Sequence, residues 1–274
     1  MKLKLYVIDA FTTQLFKGNP AAVVPLNSWL PDQMMLSIAT ENNLSETAFF
    51  VKSEDDIYHI RWFSPIKEIA FCGHATLASA QVIFDNDTQI REIKLYAPEV
   101  GTMVVKKLLD GQLEMNFPRR DPEIVEAIPD ELLSGLSIKP VKVLKNQQAY
   151  FAVYENQSQV AAIVPDLVQI SHLGPLDVVV TAPGDTFDFV SRYFWPANGG
   201  EEDPVTGSIH TGLAPYWANH FGKNTLTALQ ISKRTGILYC RVAAERVYIS
   251  GYAKKYMEGE IFLNEIFTDD EPSR

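Results

Sequence analysis

Two short stretches of this chain concentrate groups that can move a proton or hold an anion. One runs Glu201-Glu202-Asp203-Pro204-Val205-Thr206-Gly207-Ser208-Ile209-His210 and passes at once into an apolar segment, Thr211 to Phe221. The pattern predicts a polar loop feeding a helix whose first turn begins near Gly207. A helix start leaves backbone N–H groups unpaired and carries partial positive charge, so it suits an anion such as a carboxylate. The same residues also suit an ordinary capped helix, with Ser208 or Thr206 as the cap. The second stretch is Phe71-Cys72-Gly73-His74-Ala75-Thr76-Leu77-Ala78-Ser79-Ala80. It follows Phe63-Ser64-Pro65 much as the first follows Phe194-Trp195-Pro196. Each copy has Phe-x-Pro, a loop, Gly with a polar neighbour, then a helix-like run with Ala seven residues after the Gly. Gly73 and Gly207 stand about half the chain apart, the mark of a duplicated unit. If the halves face each other, two helix N-termini point into one cleft.

Other chemistries find less support. None of the five histidines, His59, His74, His172, His210 and His220, sits in a His-Glu-x-x-His metal spacing. Cys72-Gly73-His74 is too small a ligand set, so no metal is expected. Gly207-Ser208-Ile209-His210 lacks the Gly-x-Ser-x-Gly nucleophile elbow. There is no Gly-x-Gly-x-x-Gly or Walker-type loop to call for a nucleotide. Glu46 stands in small or apolar company (Ala48, Phe49 and Phe50 follow), although a solvated outer strand face would also explain it. What remains is a set of proton-transfer groups, Glu46, His74, Asp203, Ser208 and His210, near two candidate anion sites. Such a set suits moving a proton next to a carboxylate-stabilised carbon.

The chain of 274 residues, 46% hydrophobic, is long enough for one large domain or two of half its length. A net charge of −10 argues against nucleic acid or an anionic membrane as the main partner, but not against a small anionic substrate. Two cysteines, Cys72 and Cys240, make no disulfide framework. The start alternates Lys2, Leu3, Lys4, Leu5, a strand pattern rather than a signal peptide. No apolar run approaches a membrane span. The expected setting is the cytoplasm.

The elements that must hold these residues follow from periodicity and turn signals. Strands are predicted at 3–10, 21–25, 44–51, 57–63, 89–95, 102–108 and 112–117, with Asp110-Gly111 as a hairpin turn. A helix opens at Ser28 to Asp32, with Ser28 as a possible cap, and runs to about Glu41. The Gly73 helix should end near Asp85 to Asp87. Pro118 to Pro122 breaks the pattern and separates an N-terminal half, 1–118, from a C-terminal half, 119–274. In the second half, 123–133 and 166–172 read as helical. Strands are expected at 139–144, 149–154, 176–181, 187–195, 226–231, 236–242, 247–250 and 261–263. The last of these can join the first half, and the tail beyond Phe267 reads as loose. Runs of strands with one long apolar helix per half predict an α+β architecture, each half a curved sheet around its helix.

Four motifs together resemble the PhzF-like phenazine-biosynthesis isomerase family. They are Val7 to Phe11 with Gly18-Asn19-Pro20-Ala21-Ala22-Val23, Asn43 to Phe49, Phe71 to Thr76, and Glu202 to Ser208. The match covers essentially the whole chain, in order. The resemblance implies the diaminopimelate-epimerase-like fold, two pseudo-symmetric halves with the site in the cleft between them. It also implies a cofactor-free isomerase acting on a small carboxylate, usually as a homodimer. By that resemblance Glu46 is the general acid/base, and His74 and Asp203 assist proton transfer. Asn19, Gly73, Gly207 and Ser208 bind substrate. The related epimerases use two opposed thiols, but here Pro204 falls where the second would stand. An epimerase pairing Glu46 with Cys72, and a non-catalytic binding protein of the same fold, stay open as alternatives.

Overall fold

The computed structural model describes residues 1–263. The predicted loose tail lies outside them. The first half of the chain forms β1 (Lys2–Ala10), β2 (Asn19–Leu26), α1 (Asp32–Asn42), β3 (Glu46–Lys52), β4 (Ile57–Phe63), β5 (Glu68–Ile69), α2 (Gly73–Asn86), β6 (Glu92–Ala97), β7 (Gly101–Lys107) and β8 (Leu113–Pro118). The rest forms β9 (Glu123–Ile124), α3 (Asp130–Ser134), β10 (Lys142–Lys145), β11 (Ala149–Val153), α4 (Gln157–Ala162), α5 (Leu167–Ser171), β12 (Asp177–Pro183), β13 (Phe189–Phe194) and β14 (Glu202–Asp203). After these come α6 (His210–Phe221), β15 (Thr225–Gln230), β16 (Gly236–Val242), β17 (Arg246–Gly251) and β18 (Ala253–Phe262).

The pairing repeats. Strands β2 and β3 are parallel, β3 and β4 antiparallel, β4 and β6 parallel, and β6 and β7 antiparallel. The order β11, β12, β13, β15, β16 runs through the same four relations. The two-residue strands β5 and β14 sit antiparallel on β4 and β13, just before α2 and α6. Strand β18 pairs with β1 as β9 pairs with β10, and β8 pairs antiparallel with β17 to join the halves. The architecture is α+β with two pseudo-symmetric halves, each a sheet around one helix.

Composition explains why α2 and α6 are central. Gly73 to Ala80 and Val82 to Phe84 are all buried, so α2 has almost no solvent face and must be wrapped by the sheet. Helix α6 is buried from His210 to Pro215 and again at Trp217 and Ala218. Pro215 removes an N–H inside α6, which would orphan the Thr211 carbonyl. Arg120 N–H takes that carbonyl at 3.1 Å. One core cluster surrounds both helices. Smaller clusters lie under α1 and under α3 to α5.

Several local expectations change. The predicted helix at 123–133 is β9 followed by α3, because Pro129 precedes the first helical turn and interrupts any longer helix. Ser28 does not cap α1, which starts after Pro31 without a side-chain cap. Helix α6 begins at His210 rather than near Gly207, the intervening residues making a turn closed by His210 N–H on Gly207 O. Neither Ser208 nor Thr206 caps it. The strand expected only at 261–263 is the end of the longer β18.

Candidate active site

Each candidate side chain leaves the end of an element. Asn19 is the first residue of β2 and is delivered by Gly18, whose φ is +68° and whose added Cβ would lie 2.1 Å from the Ala10 carbonyl oxygen. Only glycine fits there. The turn is fastened to the second half: Arg234 Nε donates to Gly18 O at 2.9 Å, and its Nη2 donates to Asp9 Oδ1 at 2.7 Å. Asn19 is fully buried, and its Nδ2 donates to Asp203 Oδ1 at 2.7 Å and to Val205 O at 2.9 Å. Its amide therefore ties the 203–205 loop to the first half, behind the cavity wall.

Glu46 opens β3 and His74 is the second residue of α2. The Glu46 Oε2 atom lies 3.0 Å from His74 Nε2, both side chains being buried. The contact is off the hydrogen-bond direction, and that oxygen has no aligned hydrogen bond among the described residues. His74 Nδ1 faces Cys72 Sγ at 3.4 Å and Asn19 Nδ2 at 3.1 Å. Gly73 stands against the second half: a Cβ added there would lie 3.8 Å from Ser208 N and 3.9 Å from Gly207 Cα. The start of α2 and the turn before α6 thus meet, as the duplicated motif predicts.

Between them lies a cavity of about 270 Å³. Glu46, Cys72, Gly73 and His74 line it from the first half, and Asp203, Gly207 and Ser208 from the second. It adjoins a larger, more apolar lobe of about 730 Å³, with Ile66, Lys67, Ile69 and Trp195 in its wall.

Burial sets the electrostatics. It pushes the Asp203 carboxyl up to about 6, against the lowering effects of His74, Thr206 and Asn19. Thr206 Oγ1 donates to Asp203 Oδ2 at 2.5 Å, and Gln230 Nε2 holds the Asp203 carbonyl at 2.7 Å. Burial works against a charged His74, but the Glu46 carboxylate beside it and its hydrogen-bond contact with the neutral Cys72 sulfur outweigh that and raise the imidazole well above its ordinary value. Burial pushes the Cys72 thiol up to about 11, so it keeps its proton at neutral pH.

Of the residues singled out from sequence, Glu46, His74, Asp203, Gly73, Gly207 and Ser208 come together at one cavity. His210 does not join them. It is fully buried against Phe189, its Nδ1 lies 2.8 Å from Thr206 O, and burial pushes it down to about 4. It is a neutral core histidine that carries the turn before α6. Cys240 is buried in β16, away from the cavity. Sequence reasoning missed Gln148, Asp177 and Tyr193, which also line the cavity. Tyr193 lies two residues before Trp195 of the repeated Phe-x-Pro element, but no spacing rule pointed to the other two. Glu46, Cys72 and His74 each offer a ligand atom within 4.8 Å of the others, so the three have the donors to hold a metal ion.

Residues 8–259 match the family model described as phenazine biosynthesis-like protein. An uncharacterized isomerase of Pseudomonas aeruginosa is 46% identical, the alignment covering 96% of this chain and all of that protein. A second uncharacterized isomerase, from Halalkalibacterium halodurans, is 38% identical over 96% of this chain and all of its own length. The crystal structure of a PhzF-family protein from Enterococcus faecalis superposes with a TM-score of 0.91 at 42% identity, covering 96% of this chain and all of that one. A hydroxyproline epimerase from Agrobacterium vitis shares the fold alone, with a TM-score of 0.62 at 9% identity, over 95% of this chain and 91% of its own. A duplicated fold, one shared cavity and near-complete coverage at high identity lead to the same place: the chain belongs to the PhzF-type phenazine biosynthesis-like family, whose close relatives are named isomerases.

Proposed function

We propose that this chain is a cofactor-independent isomerase in which Glu46 carries a proton between two carbons of a small carboxylate substrate. The observation that carries this reading is the buried Glu46 carboxylate in the cavity wall, whose Oε2 stands 3.0 Å from His74 Nε2 without an aligned hydrogen bond. Buried carboxylates are normally hydrogen-bonded, so one that lines a cavity and makes no aligned hydrogen bond among the described residues has capacity left for a substrate hydrogen. Glu46 as carboxylate takes the proton from carbon, and as acid returns it to another carbon on the same face of the substrate. His74, held toward its charged form, offsets the negative charge that moves onto the substrate. Ser208 and the backbone amides at Gly73 and Gly207 hold the carboxylate, and Asp203 orients the loop and meets a substrate amine or hydroxyl.

The test is proton NMR in D₂O with wild type and Glu46→Gln on a panel of small cyclic and amino carboxylates. New isomer peaks or deuterium wash-in from wild type alone support the reading. Full activity in Glu46→Gln sinks it. Cys72→Ala serves as the second arm, since an epimerase pairing Glu46 with Cys72 would lose activity there. The same reading carries a homodimer in the cytoplasm, which light scattering and cell fractionation would check.

A further inference from the structure

Ser208 stands at the end of a chain of three side chains, Asp177, Tyr193 and Gln148, whose hydrogen bonds can run in only one direction. Asp177, the first residue of β12, accepts from Tyr193 Oη at 2.5 Å and from Asn198 Nδ2 at 2.8 Å. A carboxylate has no hydrogen to give, so the Tyr193 hydrogen points at it. Burial and the Asp177 charge keep the phenol protonated. With that hydrogen committed, Tyr193 Oη can only accept, and Gln148 Nε2 donates to it at 3.1 Å. The same nitrogen donates its second hydrogen to Ser208 Oγ at 2.8 Å.

Gln148 Oε1 is left buried without a partner among the described residues. A buried unpaired amide oxygen is unfavourable, so the amide would turn over if both neighbours had a hydrogen for it. Turning it would set Oε1 against a Tyr193 oxygen that has none to give. The order of the chain is therefore decided at Asp177 and passed on to Ser208. Ser208 Oγ accepts from the protein and donates to no protein group among the described residues. Its hydrogen is free for whatever fills the cavity it lines.

We infer that Asp177, Tyr193 and Gln148 are positioning residues that make Ser208 an obligate donor to an acceptor-only group of the substrate, a carboxylate or carbonyl oxygen, and that they select against an ammonium there. This rests on the proposed function only in taking the cavity as the substrate site.

The experiment is calorimetric titration of benzoate and of benzylammonium. The proteins are wild type, Ser208→Ala, Tyr193→Phe, Gln148→Glu and the double variant Tyr193→Phe with Ser208→Ala, each with its melting temperature. Losing one hydrogen bond to a charged oxygen should weaken benzoate by about tenfold or more in Ser208→Ala. Tyr193→Phe and Gln148→Glu should weaken it comparably, the first because the amide can turn, the second because a carboxylate takes the Ser208 hydrogen. In the Ser208→Ala background Tyr193→Phe should add less than about twofold, since coupled residues are not additive. Benzylammonium should bind more tightly than to wild type in Gln148→Glu and in Tyr193→Phe, where the Ser208 hydrogen is taken and its oxygen is left to accept. Additive losses, benzoate affinity unchanged in Tyr193→Phe, losses that simply follow melting temperature, or no benzoate binding by wild type at ~10 mM each overturn the inference. Because the readout is binding alone, a Glu46→Gln protein that kept its turnover would remove the acid/base reading and leave this one standing.

Discussion

His74 Nε2 stands 3.0 Å from Glu46 Oε2, and that buried oxygen has no aligned hydrogen bond among the described residues. One residue opens a strand and the other a helix, so the pair exists only because β3 and α2 end at the same cavity. The contact gives the carboxylate a cationic neighbour while leaving it a direction for substrate.

Glu46→Gln keeps the shape and removes the proposed proton carrier. General acid/base groups contribute about 10²–10⁴-fold, so kcat should fall by at least about 10² once a substrate is in hand. Melting temperature should fall modestly, because the buried His74 loses its charged partner. Steady-state kinetics beside a thermal melt measures both.

The activity should have an acidic limb governed by Asp203. Its carboxyl titrates at about 6 in the folded protein and, as carboxylate, accepts from Asn19 and Thr206. Below that value the group is neutral and its hold on the loop weakens, so kcat/KM should fall as pH drops through about 6. Asp203→Asn should be less active and lack this limb in a pH–rate profile.

Two buried groups should oppose each other in acid stability. Asp203 is raised from 3.8 to about 6 on folding, so its contribution favours the folded state at low pH and is lost as pH rises through that window. His210 is lowered from 6.5 to about 4, so its contribution is present at higher pH and lost as pH falls through that window. Each amounts to about 3 kcal/mol at most, and over the shared range they largely cancel. Asp203→Asn leaves His210 unopposed. Relative to wild type it should lose about 2–3 kcal/mol between pH 6 and pH 4 in urea titrations.

Arg234 ties the Gly18-Asn19 turn to the second half. Arg234→Ala strands the buried Asp9 carboxylate. Removing one partner of a buried pair costs about 3–5 kcal/mol, and less here because Arg234 is itself partly exposed, so about 2–3 kcal/mol is expected by denaturation. Arg234→Lys should not restore it, since a single ammonium cannot reproduce the guanidinium fork onto Asp9, Lys17 O and Gly18 O. Activity should fall with stability, because Asn19 moves with the turn.

Cofactor independence is checked by dialysis against EDTA, after which turnover should be unchanged. Added Zn²⁺ should inhibit through Glu46, Cys72 and His74, and Cys72→Ala should relieve that inhibition. Loss of turnover in EDTA, restored by metal, would overturn the cofactor-free reading.

The sequence alone was enough for the repeat and the main elements. Hydrophobic periodicity gave β4 and β16 to the residue, and Phe-x-Pro with Gly gave both central helices, because these signals are local. It also isolated Glu46, His74, Asp203 and Ser208 by residue type and motif. It could not separate the proton-transfer set into cavity and core: His210 has the same chemistry as His74, and only the packing of α6 on Phe189 makes it inert. Nor could it find Gln148, Asp177 and Tyr193. Their common role is a chain of directed hydrogen bonds across three strands or loops that no spacing along the chain encodes. Tertiary structure decided those points because direction, burial and the sign of a pKa shift belong to the assembled site, whereas periodicity and turn chemistry belong to the chain.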